Sequence, residues 1–502
     1  MSATAAFAAV DLGAESGRVA LGRFDGAAMS VEVVRRFPNR PIQLPDGQRW
    51  DLLGLFADTL DALALTAALA PLRGIGVDAW GVDYALLDGS ARLLGLPFHY
   101  RDGRTRGMIE RVDALVSREE RYAATGIQTM PINTIFQLMA DAGGPALRAA
   151  ERIALVPDLF ALWLTGELAN EITAASTTGL LDARSGGWAR PIASRLGLPA
   201  APFAGEPVEP GVPLGAVLAV HAGRAAGAVG APVWTAAGHD TASAFVAAPL
   251  RGRGGAVLSS GTWSLLGLEV PAPFLGADAA AANLTNERGL DGTTRLLRNV
   301  MGLWLLEECR RSWQRVGAPS DHAELHALAG AARSGVALFD PDHEALLSPG
   351  DMPERIAALC RGSHQTPPAG TGETVRSILV SLACKYRLVL EQLELVTGTD
   401  IEVLHVVGGG VRNELLCQLT ADLTRREVLA GPEEATALGN ALVQARAVGL
   451  VGGSLPQLHE VAAASSRPKR YEPGAEVVAA ETYARFLDAT GLRLQRLHPA
   501  VR

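Results

Sequence analysis

Asp240 is the carboxylate best set for chemistry. It stands in Gly238-His239-Asp240-Thr241, directly after the apolar, strand-like run Val233-Trp234-Thr235-Ala236-Ala237. A carboxylate within hydrogen-bond reach of an alcohol takes its proton as the oxygen attacks a phosphoryl group. Asp is also a favoured N-cap, here for a helix over residues 241–247. A single histidine such as His239 reads more readily as a hydrogen-bonded structural residue than as a catalyst. Taken by itself, the motif favours the cap.

Two turns have the composition that lets backbone amides approach a polyphosphate. The first is Asp11-Leu12-Gly13-Ala14-Glu15-Ser16-Gly17-Arg18, and the second is Ser259-Ser260-Gly261-Thr262-Trp263-Ser264. Glycine permits close approach, hydroxyls add donors, and Asp11 at a strand end is placed to meet Mg²⁺ directly or through its waters. Each turn alone is equally an ordinary hairpin tip; two of them opening two halves of the chain are harder to assign to coincidence. Gly408-Gly409-Gly410, after an apolar run and before a helical one, suits a nucleotide wall or a tight turn. Asn413 beyond it reads as a helix cap.

Asp78-Ala79-Trp80-Gly81-Val82-Asp83 combines an indole with carboxylates, a composition suited to sugar C–H faces and hydroxyls. A core tryptophan with two loop acids accounts for it as well. His99-Tyr100-Arg101-Asp102 with Arg104 lines the same pocket or forms a surface ion pair. Asn299 and Met301-Gly302-Leu303-Trp304 fit either a helix start or a ligand wall.

These residues need elements to hold them. Ala5–Gly13 and Arg18–Gly26 flank a glycine-bearing turn, and residues 254–270 repeat the design, so two hairpins are predicted. Ile75–Asp78 and Val403–Val407 read as buried strands. Leu415, Leu416, Leu419 and Leu423 recur at helical spacing, as do Leu438, Ala441, Leu442 and Ala445. A long helix is predicted from about Glu373 to Val396. Strands alternating with helices predict α/β architecture in both halves, and the Pro/Gly-bearing stretch 248–255 is the expected hinge.

At 502 residues, two domains are the prior. A net charge of −8 gives no general attraction to nucleic acid or anionic lipid. The N-terminus lacks a basic region before its apolar run, and charged residues interrupt every apolar stretch before the ~18 residues a membrane helix needs. Cys309, Cys360, Cys384 and Cys417 show no metal-ligand spacing, so neither zinc nor disulfides are expected, and a reducing cytoplasm is. Lys385 and Lys469 are the only lysines among 45 basic residues. Neither follows a glycine-rich loop, which excludes both the P-loop and the protein-kinase lysine. Any ATP must be held by amides, hydroxyls and a metal.

In this order, VDLGAESGRV, IGVDAWGVDYALLD, LPFHYRDGRT, GHDTASA, LSSGTWSL, RNVMGLWLLEE, VVGGGVRNELL and GPEEATALGNAL resemble the FGGY carbohydrate kinases from about residue 6 to 450. The resemblance implies an α/β fold of two ribonuclease-H-like domains, as in actin and hexokinase, with a central cleft. The domains expected are 1–247, with the sugar site, first phosphate loop and base, and 256–455 for the nucleotide, with 248–255 as hinge and 456–502 as C-terminal extension. It implies transfer of the γ-phosphoryl of ATP–Mg²⁺ to O1 of a ketose, L-rhamnulose. The ATP contacts it implies are Ala14, Glu15, Ser16, Gly17, Arg18, Thr262, Glu307 and Gly409. The sugar contacts are Gly81, His239, Asp240, Thr241 and Asn299, with Asp240 as base, and Asp11 is the residue toward the metal. Glu15 departs from a serine of the family pattern and Glu307 from a glutamine. Alternatives of other classes are a kinase of another ketose or polyol, such as L-fuculose or D-xylulose, and a non-catalytic sugar sensor on the same scaffold. A ribokinase-type enzyme is disfavoured by the paired hairpin loops.

Overall fold

The computed structural model describes residues 4–250, 252 and 254–494. Arg251 and Arg253 of the expected hinge, and residues 495–502 of the expected C-terminal extension, lie outside the described residues. The chain forms two compact units. The first comprises Met1–Arg251, Glu269–Leu296 and Glu434–Ser466; the second comprises Gly252–Leu268, Leu297–Glu433 and Arg467–Arg502.

The first unit is built on β1 (Ala5–Leu12), β2 (Ser16–Phe24), β3 (Met29–Pro38), β4 (Leu72–Ala79), β5 (Pro213–Ala216) and β6 (Pro232–His239). They lie in the order β3-β2-β1-β4-β6-β5. The opening hairpin pairs β1 antiparallel with β2, and β4 and β6 then add in parallel. All eight residues of β1 are buried, which requires cover on both faces of the sheet. The second unit repeats the plan with β7 (Gly255–Ser260), β8 (Trp263–Val270), β9 (Thr294–Met301), β10 (Val403–Val407), β11 (Glu427–Ala430) and β12 (Lys469–Tyr471). Again a hairpin, β7–β8, opens the sheet, and β10 and β11 continue it in parallel. The α/β class and the ribonuclease-H-like arrangement expected from the sequence are present in both units.

The helices that position the site are α1 (Leu52–Leu69), α2 (Val156–Thr165), α3 (Ile172–Ser176), α4 (Asp240–Val246), α5 (Trp304–Arg315), α6 (Gly370–Thr397), α7 (Glu414–Thr424) and α8 (Ala435–Ala447). By length and composition α1 is apolar enough to cross a membrane, with mean hydropathy 1.6. It instead buries Leu55, Leu60 and Leu63 in the first unit, and Asp58 and Asp61 on it pair with Arg35 and Arg224. The long α6 begins at Gly370, three residues before the predicted start, because the Glu373 side chain reaches back to the Ala369 N–H at 2.8 Å and satisfies the first turn.

Within the first unit, α8 packs against both β1 and α4. The α4 approach is so close that a Cβ on Gly439 would stand 1.8 Å from the Ser243 carbonyl oxygen. Backbone cannot yield as a flexible side chain does. Gly439→Ala is therefore expected to lower stability by about 1–3 kcal/mol through overpacking, read as a drop in thermal midpoint. An unchanged midpoint would contradict the close packing of α8 on α4.

Candidate active site

Three carboxylates stand at or just past the C-terminal ends of three neighbouring parallel strands: Asp11 on β1, Asp78 on β4 and Asp240 after β6. Asp11 and Asp78 are register partners. Both are buried, and like charges so placed repel unless each is neutralised differently. Asp11 is matched by Arg18, its cross-strand partner on β2, whose Nε donates to Oδ2 at 2.7 Å. Arg18 Nε also lies 3.1 Å from Glu434 Oε2, and Glu434 pairs in turn with Arg36. Burial alone would lower the Arg18 pKa, but Asp11 and Glu434 outweigh it and the guanidinium is held charged. Among the described residues Asp78 forms no ion pair, and the Arg18 charge acts on it only weakly. Burial, then Asp11, pushes its carboxyl well above the usual range, and only the Asn440 amide, donating at 2.6 Å from α8, opposes them strongly. Asn440 is itself fixed by Gln444, which donates to it at 2.7 Å and also to the Ala8 carbonyl.

Asp240 is the first residue inside α4, and the cap position falls to His239, whose side chain makes no capping bond. The N-cap role open to Asp240 from sequence is thus not the one it takes. Its Oδ1 accepts from Thr241 Oγ1 at 3.0 Å and lies 3.4 Å from His239 Nε2, and 30% of its side chain stays exposed. Burial raises its pKa, His239 opposes the rise, and Asp11 adds to it. The backbone that carries the motif is held from below. Glu171 Oε2 accepts from the Gly238 N–H at 2.9 Å and from Thr173 Oγ1 at 2.6 Å, and Thr173 Oγ1 accepts from the His239 N–H. Asp158 on α2 accepts from the Glu171 N–H at 3.1 Å. Burial pushes Glu171 up to about 7 and Asp158 up to about 8.

The loop after β4 is pinned rather than loose. Val82 has φ 69°, a left-handed value unfavourable for a β-branched residue. Its N–H donates to Thr177 Oγ1 at 3.0 Å and its carbonyl accepts from Thr134 Oγ1 at 2.6 Å. A Cβ on Gly81 would meet Thr177 at 3.0 Å. Trp80 and Asp83 take the core alternative. Trp80 is 6% exposed, and its indole and that of Trp50 both donate to Asp83 Oδ2, at 3.0 and 2.6 Å. His99 packs at a tilt against Trp50, 4.2 Å between ring centres, and burial with Arg101 lowers its pKa to about 3. Arg104 pairs with Asp141, so the His99–Arg104 stretch is scaffold beneath the loop.

The β1–β2 turn, Ala14 to Arg18, is braced by Asn39, whose N–H donates to the Glu15 carbonyl and whose amide donates to the Gly13 carbonyl, both at 3.0 Å. In the second unit the β7–β8 turn is docked on the start of α5. Leu303 N–H donates to Gly261 O and Trp304 N–H to Thr262 O. Asn299 lies on β9, and Met301 N–H donates to Asp342 Oδ1 at 2.8 Å. Gly409 is exposed, whereas its neighbour Gly410 abuts Ser260, with a Cβ there only 2.0 Å from Oγ. Glu307 is engaged along and beside its helix, with Arg310 at 2.6 Å and His322 at 3.3 Å. Asn413 caps α7, accepting from the Leu416 N–H at 3.0 Å. Lys385 is buried against Asp340 and Asp342, at 2.8 and 3.0 Å, and Lys469 pairs with Glu414, so neither lysine belongs to a phosphate loop.

Sequence reasoning left Asn39, Glu171, Glu287, Arg295, Glu434 and Asn440 without roles. Glu434 and Asn440 fall in a stretch noted only as part of a pattern, and the others carry no local signal. Among the described residues no group of three or more His, Cys, Asp or Glu is arranged to hold a metal by itself. The chemistry of the set nonetheless fits Mg²⁺, which is usually held by one or two carboxylates with waters and substrate phosphates. Asp11 would supply a carboxylate toward the ion, and beside it Asp78 Oδ1 is buried without a hydrogen-bond partner.

The N-terminal-domain model of the FGGY family of carbohydrate kinases matches residues 7–247, and its C-terminal-domain model matches residues 256–448. A protein named rhamnulokinase from Bacteroides thetaiotaomicron is 42% identical over 446 residues, 88% of this chain and 91% of the relative. A rhamnulokinase from Pectobacterium atrosepticum is 42% identical over 487 residues, 95% of each chain. Among solved structures, a gluconate kinase from Lactobacillus acidophilus superposes with TM-score 0.76 at 15% identity, covering 96% of both chains. A xylulose kinase from Rhodospirillum rubrum gives 0.74 at 20% identity, covering 95% of this chain and 96% of its own. At those identities the structures carry the fold alone.

The buried acids behind the Gly238–Asp240 backbone predict a pH dependence of stability. Glu171 and Asp158 have folded pKa values raised above the unfolded ones, so their contribution is complete below the unfolded values and is lost as pH rises through about 7 and 8. The thermal midpoint is expected to fall between pH 5 and pH 8 by about 2–4 °C per kcal/mol lost. A midpoint that is flat or rises over that interval would contradict the burial of both acids in their neutral forms.

Proposed function

Because the chain belongs to the FGGY family of carbohydrate kinases, we propose that it phosphorylates L-rhamnulose at O1 with ATP, using Asp240 as the general base. The observation that carries the sugar assignment is 42% identity to proteins named rhamnulokinase along 88% and 95% of this chain. The solved kinases of other sugars, at 15% and 20% identity, favour no competing substrate.

In this reading the alcohol proton passes to Asp240 as the sugar oxygen bonds to the γ-phosphorus and the bond to the bridging oxygen breaks, releasing ADP. Gly81, His239, Thr241 and Asn299 orient the sugar. The pinned, strained Val82 beside Gly81 supports a fixed rather than adaptable contact. Ala14, Glu15, Ser16, Gly17, Arg18, Thr262, Glu307 and Gly409 contact ATP. Exposed Ser16 and Gly409 suit that role, as their backbone is approachable. Glu307 is the contact that would require rearrangement, since Arg310 and His322 already hold it. Mg²⁺ would supply charge neutralisation at the phosphates, with Asp11 toward it and Arg18 limiting repulsion between Asp11 and the nucleotide. A cytoplasmic location accords with four free, buried cysteines.

A coupled ADP-release assay with L-rhamnulose, L-fuculose, D-xylulose and glycerol decides the substrate. Clear preference for L-rhamnulose is expected, and equal turnover of several ketoses would sink the assignment. Asp240→Asn should lower kcat by roughly 10²–10⁴-fold, the usual general-base contribution, while the protein stays folded. Near-wild-type turnover in that variant would remove Asp240 as base. Since burial and Asp11 hold the Asp240 pKa up, activity should be lost on the acid side with a midpoint above the ordinary ~3.9. A limb at or below that value would show the carboxylate to be solvated instead.

A further inference from the structure

Arg295 lies in the opening residues of β9, which belong to the first unit; its side chain is 1% exposed, and a guanidinium buried there needs a counter-charge. Glu287 Oε2 lies 3.1 Å from Nη1, the Arg288 carbonyl accepts from Nε at 3.0 Å, and the Phe245 ring of α4 is 5.9 Å away. The remaining contact is to His239: Nη2 is 3.3 Å from Nδ1. Glu287 Oε2 is 3.2 Å from the same nitrogen. The far ring nitrogen, Nε2, faces Asp240 Oδ1 at 3.4 Å.

With one proton on the ring, two forms compete. With the proton on Nδ1, the ring donates to Glu287. Arg295 Nη2, which has only hydrogens to offer, then points at a hydrogen, and the Nε2 lone pair points at the Asp240 carboxylate. With the proton on Nε2, Arg295 donates to Nδ1 and the ring donates to Asp240. The one conflict left is the Nδ1 lone pair beside Glu287, whose charge Arg295 already matches. The second form has fewer repulsions.

We propose that Arg295, neutralised by Glu287, is a positioning residue that holds His239 in its Nε2–H form so that the ring donates to Asp240 Oδ1. This rests on the reading of Asp240 as base. Thr241 Oγ1 donates to the same oxygen, so both side-chain donors meet Oδ1 and Oδ2 is left to take the hydroxyl proton. A histidine whose second nitrogen is fixed by an outer partner is oriented as well as tautomerically defined. Besides His239, the charged groups that face Asp240 and Arg295 are Asp11, Asp78, Glu171, Glu269 and Glu287.

The test is ¹⁵N NMR of the histidine rings in the full chain, with His239→Gln identifying the signal among 10 histidines, alongside steady-state kinetics. A protonated Nε2 and an unprotonated Nδ1 are expected in the wild type. The charge-balanced pair Arg295→Gln with Glu287→Gln should mix the two forms, lower kcat about 10- to 100-fold and leave the ketose KM within about three-fold. Arg295→Lys, which still offers a donor, should restore the Nε2–H form and most of kcat. A wild-type ring protonated on Nδ1, or a folded double variant with wild-type kcat, would overturn the proposal. Should the double variant not fold, the wild-type ring signal decides. The ring signal is read without turnover, so failure of the wild type on every sugar would count against the kinase base and not against the Arg295–His239 contact.

Discussion

Keeping three carboxylates together in a low-dielectric place is the constraint on which the first unit is built. Two unit charges 4 Å apart interact by about 4 kcal/mol at an effective dielectric of 20, enough to push parallel strand ends apart. Each acid is relieved by a different device. Asp11 is paired with Arg18, Asp78 is driven toward its neutral form by burial and held by Asn440, and Asp240 keeps a partly open side chain. One ion-paired acid, one acid driven toward its neutral form and one accessible carboxylate are a division of roles that a general base needs.

That division explains the placement of elements far apart in sequence. Helix α8 approaches α4 and β1 closely because its Asn440 must reach Asp78, and Gly439 and Gly76 make room for it. Glu434, at the head of the same helix, joins Arg18 and Arg36. Charge-assisted hydrogen bonds are worth about 1.5–3 kcal/mol each, whereas leaving such a group unpaired in the interior forfeits more. The polar network therefore specifies where α8 must sit, and apolar packing fills in around it.

Much of this architecture was legible. Both hairpins, the strands at Ile75–Asp78 and Val403–Val407 and the helices at Leu415–Leu423 and Leu438–Ala445 follow from periodicity and turn residues, and the structure contains each. Composition was weakest where one residue type serves two purposes. Trp80 and Asp83 look like sugar contacts but form a buried cluster with Trp50, because an indole N–H inside a core requires an acceptor. Asp240 looks like a cap, yet it lies one residue inside its helix. Asn413, read as a cap, is one. Arg295, Glu287, Glu171 and Asn440 were invisible, since each acts on a partner far away in the chain, outside any local pattern that could announce such pairs.

The arrangement of the three strand ends turns on Asp78 being the acid that yields its charge. A carboxyl ¹³C titration of Asp78 in the ligand-free protein tests this most directly. A midpoint well above the ~3.9 of a free aspartate is the predicted result. A midpoint at or below that value would mean that Asp78 is ionised beside Asp11, and the division of charge among the three strand ends would be wrong.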